Sequence, residues 1–157
     1  ALLNSLTVGE NLSLPLEMHT DLSPALVEDI VRTRLHLVGL DHAYALLPAE
    51  LSGGMRKRAA LARAMVLDPE ILFCDEPGAG LDPVTAAEID HLLLTVNQSL
   101  GITLIIVTHE LLSIERLDGR LIMLDQGEVV FTGTVDQAKT SDLPVVAHFF
   151  NPGASSP

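Results

Sequence analysis

Two runs of almost unbroken apolar residues organise the middle of the chain. Ile71-Leu72-Phe73-Cys74 leads into Asp75-Glu76, and Ile102-Thr103-Leu104-Ile105-Ile106-Val107 leads into Thr108-His109. Runs of this length that end in charged or polar residues predict short strands buried on both faces of a parallel sheet. The stretch between them reads as a helix that starts at Asp82-Pro83, an N-cap followed by a first-turn proline, and stops at Gly101. A second helix is predicted from Gly53 or Gly54 to about Leu67, closed by Asp68-Pro69. A third has Ser23 as its N-cap and Pro24 at its first position. Leu26, Ile30, Val31, Leu35 and Val38 form its apolar face, and Gly39 ends it.

The flanks are less regular. Residues 1–20 read as the end of one element followed by a loop, since Pro15 bars a central strand. Residues 41–50 form a connection. After a short helix near 110–117, Arg120–Leu124 and Val129–Phe131 bracket Asp125-Gln126-Gly127 as a hairpin. One or two short helices are expected over 135–150, and Asn151–Pro157 reads as a frayed tail. The alternation of helices and strands implies α/β architecture with a mainly parallel sheet.

Composition narrows the classes. The 157 residues are 48% hydrophobic and 19% charged, enough for one sizeable core. No apolar stretch approaches the roughly 20 residues that span a bilayer, and no cationic leader opens the chain. The first residue is Ala1, so the natural reading frame is expected to begin upstream. A single cysteine, Cys74, excludes an internal disulfide and fits a reducing compartment, as a small buried hydrophobe within its strand. The six histidines are scattered without zinc-site spacing.

A net charge of −12 argues against a general nucleic-acid binder. The nine cations are unevenly spread, and Arg56, Lys57, Arg58 and Arg63 share one short window. As individual residues they are expected on a solvated helix face.

Chemistry concentrates at three places. Asp75 and Glu76 adjoin at the C-terminal end of a strand, where α/β sheets place their ligands. Aspartate there can orient Mg²⁺ on a nucleotide, and glutamate can polarise water for in-line attack on a terminal phosphate. Ser52-Gly53-Gly54 opens a helix whose free N–H groups and dipole favour an anion, and Ser52 adds a hydroxyl. Taken alone, this turn reads better as an ordinary N-cap with a Gly-rich entry, and order and spacing overturn that. It precedes Asp75-Glu76 by about twenty residues, and His109 ends the next strand. If the two strands pair, His109 lies beside the carboxylates.

Together, Leu51-Ser52-Gly53-Gly54-Met55, Ile71–Glu76, Gly80-Leu81-Asp82 and Val107-Thr108-His109 resemble four motifs of the ATPase subunits of ABC transporters: signature, Walker B strand with catalytic glutamate, D-loop and switch histidine. Within that family the chain is most similar to subunits of the Mla type, which energise phospholipid transport or organic-solvent (toluene) resistance. That likeness rests on Ala1–Asn11, His19–Ser23, Met55 in place of the more usual Gln, and Val145–Asn151. Leu117-Asp118-Gly119-Arg120 and Gly78-Ala79-Gly80 depart from the usual family pattern.

The resemblance implies a P-loop NTPase fold of the ABC type without its N-terminal strands and Walker A loop. It implies a helical subdomain over residues 10–50 that contacts a membrane partner, a core from signature to switch over 51–133, and a C-terminal tail over 134–157. It also implies ATP and Mg²⁺, with Glu76 and His109 catalytic, Asp75 on the metal, and Ser52, Gly53, Gly54, Met55 and Asp82 touching nucleotide across a homodimer. The implied partners are an integral membrane permease and a periplasmic lipid-binding protein, at the cytoplasmic face of the inner membrane. No Gly-x-x-x-x-Gly-Lys-Ser/Thr loop occurs in the chain. The loop is therefore expected upstream, and the chain alone is expected to be inactive. Two other readings stay open: a non-transport ABC ATPase of DNA repair or translation, and a catalytically incompetent binding or regulatory module.

Overall fold

The computed structural model describes residues 2–151, so the expected tail from residue 152 onward lies outside the described residues. The chain forms two compact units, one reaching Val107 and the other starting at Thr108.

The first unit begins with a helix that the sequence reading missed. Helix α1 spans Val8–His19 with Pro15 inside it. A capping box starts it. The Thr7 hydroxyl accepts the Glu10 N–H at 3.2 Å, and Glu10 Oε2 accepts the Thr7 N–H at 2.7 Å. Buried Asn11 fixes the preceding turn, taking the Leu3 N–H and donating to the carbonyls of Leu3, Leu6 and Thr7. Pro15 rules out a central strand, but proline also sits in a helix when another donor reaches the carbonyl it leaves open. Arg63 Nε donates to that carbonyl, Asn11 O, at 3.0 Å.

Helix α2 spans Pro24–Leu37 with Ser23 as its cap, and Gly39 (φ +69°) turns the chain beyond it. Its buried stripe is Val27, Val31 and Leu35, while Leu26 stays exposed. Two 3-10 turns, Asp41–Ala43 and Pro48–Glu50, occupy the predicted connection. Helix α3 covers Gly53–Ala64, and α1, α2 and α3 pack on one another around Val8, Leu12, Val31 and Leu35. The end of α3 falls short of Leu67 because the Met65 N–H reaches nearer carbonyls, including Ala62 O, which tightens the last turn.

Strand β1 (Ile71–Asp75), helix α4 (Pro83–Leu100) and strand β2 (Thr103–Val107) follow as the apolar pattern predicts. β1 and β2 pair in parallel, with Phe73 opposite Ile105 and Asp75 opposite Val107. The expectation of burial on both faces is not met. Leu72 is buried, yet Phe73 is 72% exposed and Val107 58% exposed. Helix α4 covers one face of the pair, and no described residue buries the other.

The second unit holds helix α5 (Leu111–Leu117), the antiparallel strands β3 (Arg120–Asp125) and β4 (Glu128–Thr134), and helices α6 (Val135–Lys139) and α7 (Pro144–Phe150). Gln126 and Gly127 both have positive φ, the two-residue turn that matches hairpin twist. Ile114, Val135, Ala138, Val146 and Phe150 make this unit's core.

Candidate functional site

The predicted site residues of the first unit sit at the starts of α3 and α4 and at the end of β1. Ser52 caps α3, its Oγ accepting the Met55 N–H at 3.2 Å. The hydroxyl proton remains available to an acceptor beyond the helix, so capping and ligand contact are compatible in one residue.

The Gly pair answers a packing demand inside the chain. A Cβ on Gly54 would lie 2.6 Å from Thr85 Cγ2, and one on Gly53 would lie 3.1 Å from Leu81 Cδ2. The start of α3 thus lies directly against the turn that starts α4. The sequence suggested open backbone for a ligand as the reason for these glycines, and the structure adds a packing reason inside the chain. A hollow of about 330 Å³ adjoins this contact, lined by Gly53, Arg56, Lys57, Gly80 and Leu81 among others. Met55 is half-buried on the first turn of α3.

Asp82 is the N-cap of α4. Its carboxylate accepts the N–H groups of Val84 and Thr85 at 3.0 Å and the Thr85 hydroxyl at 2.5 Å. The Thr85 hydroxyl, followed by the Thr85 amide, holds its carboxyl below the usual aspartate range.

Asp75 ends β1 and is exposed. Among the described residues no hydrogen bond or ion pair engages its carboxylate, and no group of three or more His, Cys, Asp or Glu could cage a metal. That donor set fits Mg²⁺, which keeps waters and takes one or two carboxylates together with substrate phosphates.

Glu76 follows in the left-handed region, at φ +46°. Such a backbone costs a non-glycine residue on the order of 1–3 kcal/mol and persists only where its surroundings hold it. The Glu76 N–H donates to Val107 O at 2.8 Å, which ties it to the end of β2. Its carbonyl accepts from Ala79 N at 3.2 Å and from Lys57 Nζ at 2.9 Å. His109 is exposed in the second unit, two residues beyond the last residue of β2. The strand pairing on which its expected place depended is present. Burial raises the Cys74 thiol above its ordinary range, away from reactivity.

The basic window departs from the solvated-face expectation at Lys57, Arg58 and Arg63, which are half-buried, while Arg56 stays exposed. Arg56 donates to Leu51 O at 2.8 Å, Lys57 to Glu76 O, Arg63 to Asn11 O, and Arg58 pairs with Glu88 of α4 at 2.5 Å. Four cations of one helix fasten it to four different segments. Charge counting along the sequence misses this, but helical spacing carries a trace of it. Lys57 lies three residues after buried Gly54 and four before buried Leu61, on the inward stripe.

The sequence pattern of the ABC transporter family matches residues 1–79 of the chain. The chain belongs to that family. It is 42% identical over 151 residues to the probable ribonucleotide transport ATP-binding protein mkl of Mycobacterium leprae, covering 96% of this chain and 44% of that protein. It is 41% identical over 136 residues to the methionine import ATP-binding protein MetN of Haemophilus influenzae, covering 87% of this chain and 39% of that one. The chain therefore spans less than half the length of these curated relatives.

Among solved structures, it is similar to the ATP-binding cassette MJ0796 in a dimeric, post-hydrolysis state bound to ADP and Pi. The TM-score is 0.73 at 32% identity, covering 85% of this chain and 58% of the other. As an ABC cassette the chain has the P-loop NTPase type of fold: parallel strands β1 and β2 joined through α4, with helices beside them. No described helix is long and apolar enough to cross a membrane.

Proposed function

We propose that this chain is part of the ATP-hydrolysing subunit of an ABC transporter and contributes half of a composite ATP site. The observation that carries the reading is the backbone of Glu76, held by Val107 of β2 on one side and by Lys57 of the signature helix on the other. A glutamate at the C-terminal end of a parallel strand, bent out of regular conformation and fixed there, suits a base that must meet one water in one geometry.

In the proposed reaction two subunits face each other. Ser52, Gly53, Gly54 and Met55 of one contact the ATP held by the other, through N–H groups at the start of α3. Glu76 takes the proton of the attacking water, and His109 hydrogen-bonds the γ-phosphate. Asp75 would hold Mg²⁺, which supplies charge neutralisation on the β- and γ-phosphate oxygens. Asp82 sits in the turn through which the two sites communicate. The phosphate cradle is a Gly-x-x-x-x-Gly-Lys-Ser/Thr loop, which none of the 157 residues form. Residues 10–50 face an integral membrane permease, at the cytoplasmic side of the inner membrane.

The cargo proposed is phospholipid. Its support is the Mla-type likeness at Ala1–Asn11, His19–Ser23, Met55 and Val145–Asn151. A periplasmic lipid-binding protein is the further partner this implies. The names of the relatives favour a second reading, in which the cargo is a ribonucleotide or methionine.

The test uses the subunit expressed from its complete natural reading frame. Glu76→Gln should lower kcat for ATP by a factor on the order of 10²–10⁴, while ATP binding persists. Undiminished turnover in that variant would sink the site assignment. In liposomes carrying subunit and permease, fluorescent phospholipid should move in an ATP-dependent way. Uptake of methionine or ribonucleotide instead would replace the lipid reading and leave the ATPase reading intact.

A further inference from the structure

Lys57 touches no reacting atom in the chemistry proposed above, and along the sequence its place in the basic window suggests only a solvated charge. Its surroundings indicate otherwise. The side chain is half-buried, and Nζ donates at 2.9 Å to the main-chain oxygen of a residue nineteen positions away. That residue is Glu76, one of four described non-glycine residues with a left-handed backbone, at φ +46°. An ammonium donating to a carbonyl makes a charge-assisted hydrogen bond, stronger than the neutral bond from Ala79 N to the same oxygen. With the Glu76 N–H fixed on Val107 O, both sides of the bent segment are anchored, which sets the direction of the Glu76 Cα–Cβ bond.

We infer that Lys57 is a positioning residue for Glu76: it binds the main chain of the water-activating glutamate to the helix that carries the signature turn. The inference rests on the proposed role of Glu76. Ser52-Gly53-Gly54 serves the ATP of the opposite subunit, whereas Glu76 serves the ATP of its own.

Steady-state ATP hydrolysis by the full-length subunit with its permease tests this, with Lys57→Met, Lys57→Arg and Glu76→Gln measured beside wild type. Lys57→Met keeps the apolar stem and removes the donor. Its kcat should fall about tenfold or more, with KM for ATP within about twofold of wild type. Lys57→Arg restores a cationic donor and should recover at least about a third of the lost rate. Thermal unfolding of all three variants should match wild type to within a few degrees.

Unchanged kcat in Lys57→Met, beside an inactive Glu76→Gln, overturns the role of Lys57 and leaves the site reading standing. An active Glu76→Gln overturns both. A loss in Lys57→Met that tracks a lowered unfolding temperature and is not recovered by Lys57→Arg shows a structural lysine, and overturns the inference too.

Discussion

Arg63 Nε donates to the main-chain oxygen of Asn11, the carbonyl that the amide of residue 15 would take in a regular helix and that Pro15 cannot. A donor from α3 thus completes α1 from outside. The cost of proline within α1 and the placement of α3 against it are coupled. Replacing Arg63 with Met should leave a poorly satisfied carbonyl and destabilise the protein by about 1–3 kcal/mol. Pro15→Ala supplies the missing amide, so it should help the Arg63→Met background more than wild type. A denaturant double-mutant cycle should give a coupling of about 1 kcal/mol. Strict additivity would show that the two residues are unrelated.

That pair also explains what the sequence hid. Helices with end signals were legible: Ser23-Pro24 and Asp82-Pro83 open α2 and α4 where they should, and Gly101 closes α4 in the left-handed region. Strands β1 and β2 were legible as apolar runs. Helix α1 was not, because the donor that licenses Pro15 lies some fifty residues later, and local pattern carries no information about it. Among the candidate site residues, Ser52 and Asp82 were legible as helix caps. The partners of Lys57 and of the Thr85 methyl were not legible, since each is the main chain of another motif.

Gly54 and Thr85 give the next expectation. Ala at position 54 would place its Cβ 2.6 Å from Thr85 Cγ2. Overpacking of this kind costs about 1–3 kcal/mol. Thr85→Ser removes that methyl and keeps the hydroxyl that bonds Asp82. The double variant Gly54→Ala/Thr85→Ser should therefore regain most of the stability that Gly54→Ala loses in urea unfolding. If Gly54→Ala is as stable as wild type, the glycine is there for a ligand alone.

The open side of the β1–β2 pair yields a prediction about behaviour in solution. Ile71, Phe73, Ile105 and Val107 are 49%, 72%, 42% and 58% exposed. Contiguous apolar surface on a sheet favours association, and Phe73 is its largest side chain. The purified 157-residue chain should bind an apolar fluorescent dye and self-associate on a sizing column. Phe73→Lys should lower both signals. A monodisperse, dye-silent wild type would mean that this face is covered in solution.

Asp82 makes stability depend on acid, and the sign follows from its bonds. The Thr85 hydroxyl and amide favour the charged form, so the folded pKa lies below the unfolded value of about 3.9. Folding therefore gains from Asp82 at pH values above the unfolded pKa. The gain shrinks as pH drops below that value and is gone once pH has passed through the folded pKa. Asn is the informative replacement because it caps helices well and does not titrate. The stability difference between wild type and Asp82→Asn should be flat from neutral pH down to about pH 5 and then narrow steadily toward pH 2. Glu10 of the α1 capping box is lowered too, chiefly by the Thr7 amide, but it is present in both proteins and cancels from the difference. A gap that stays constant into acid would show that Asp82 contributes as a neutral cap, with no help from its charge.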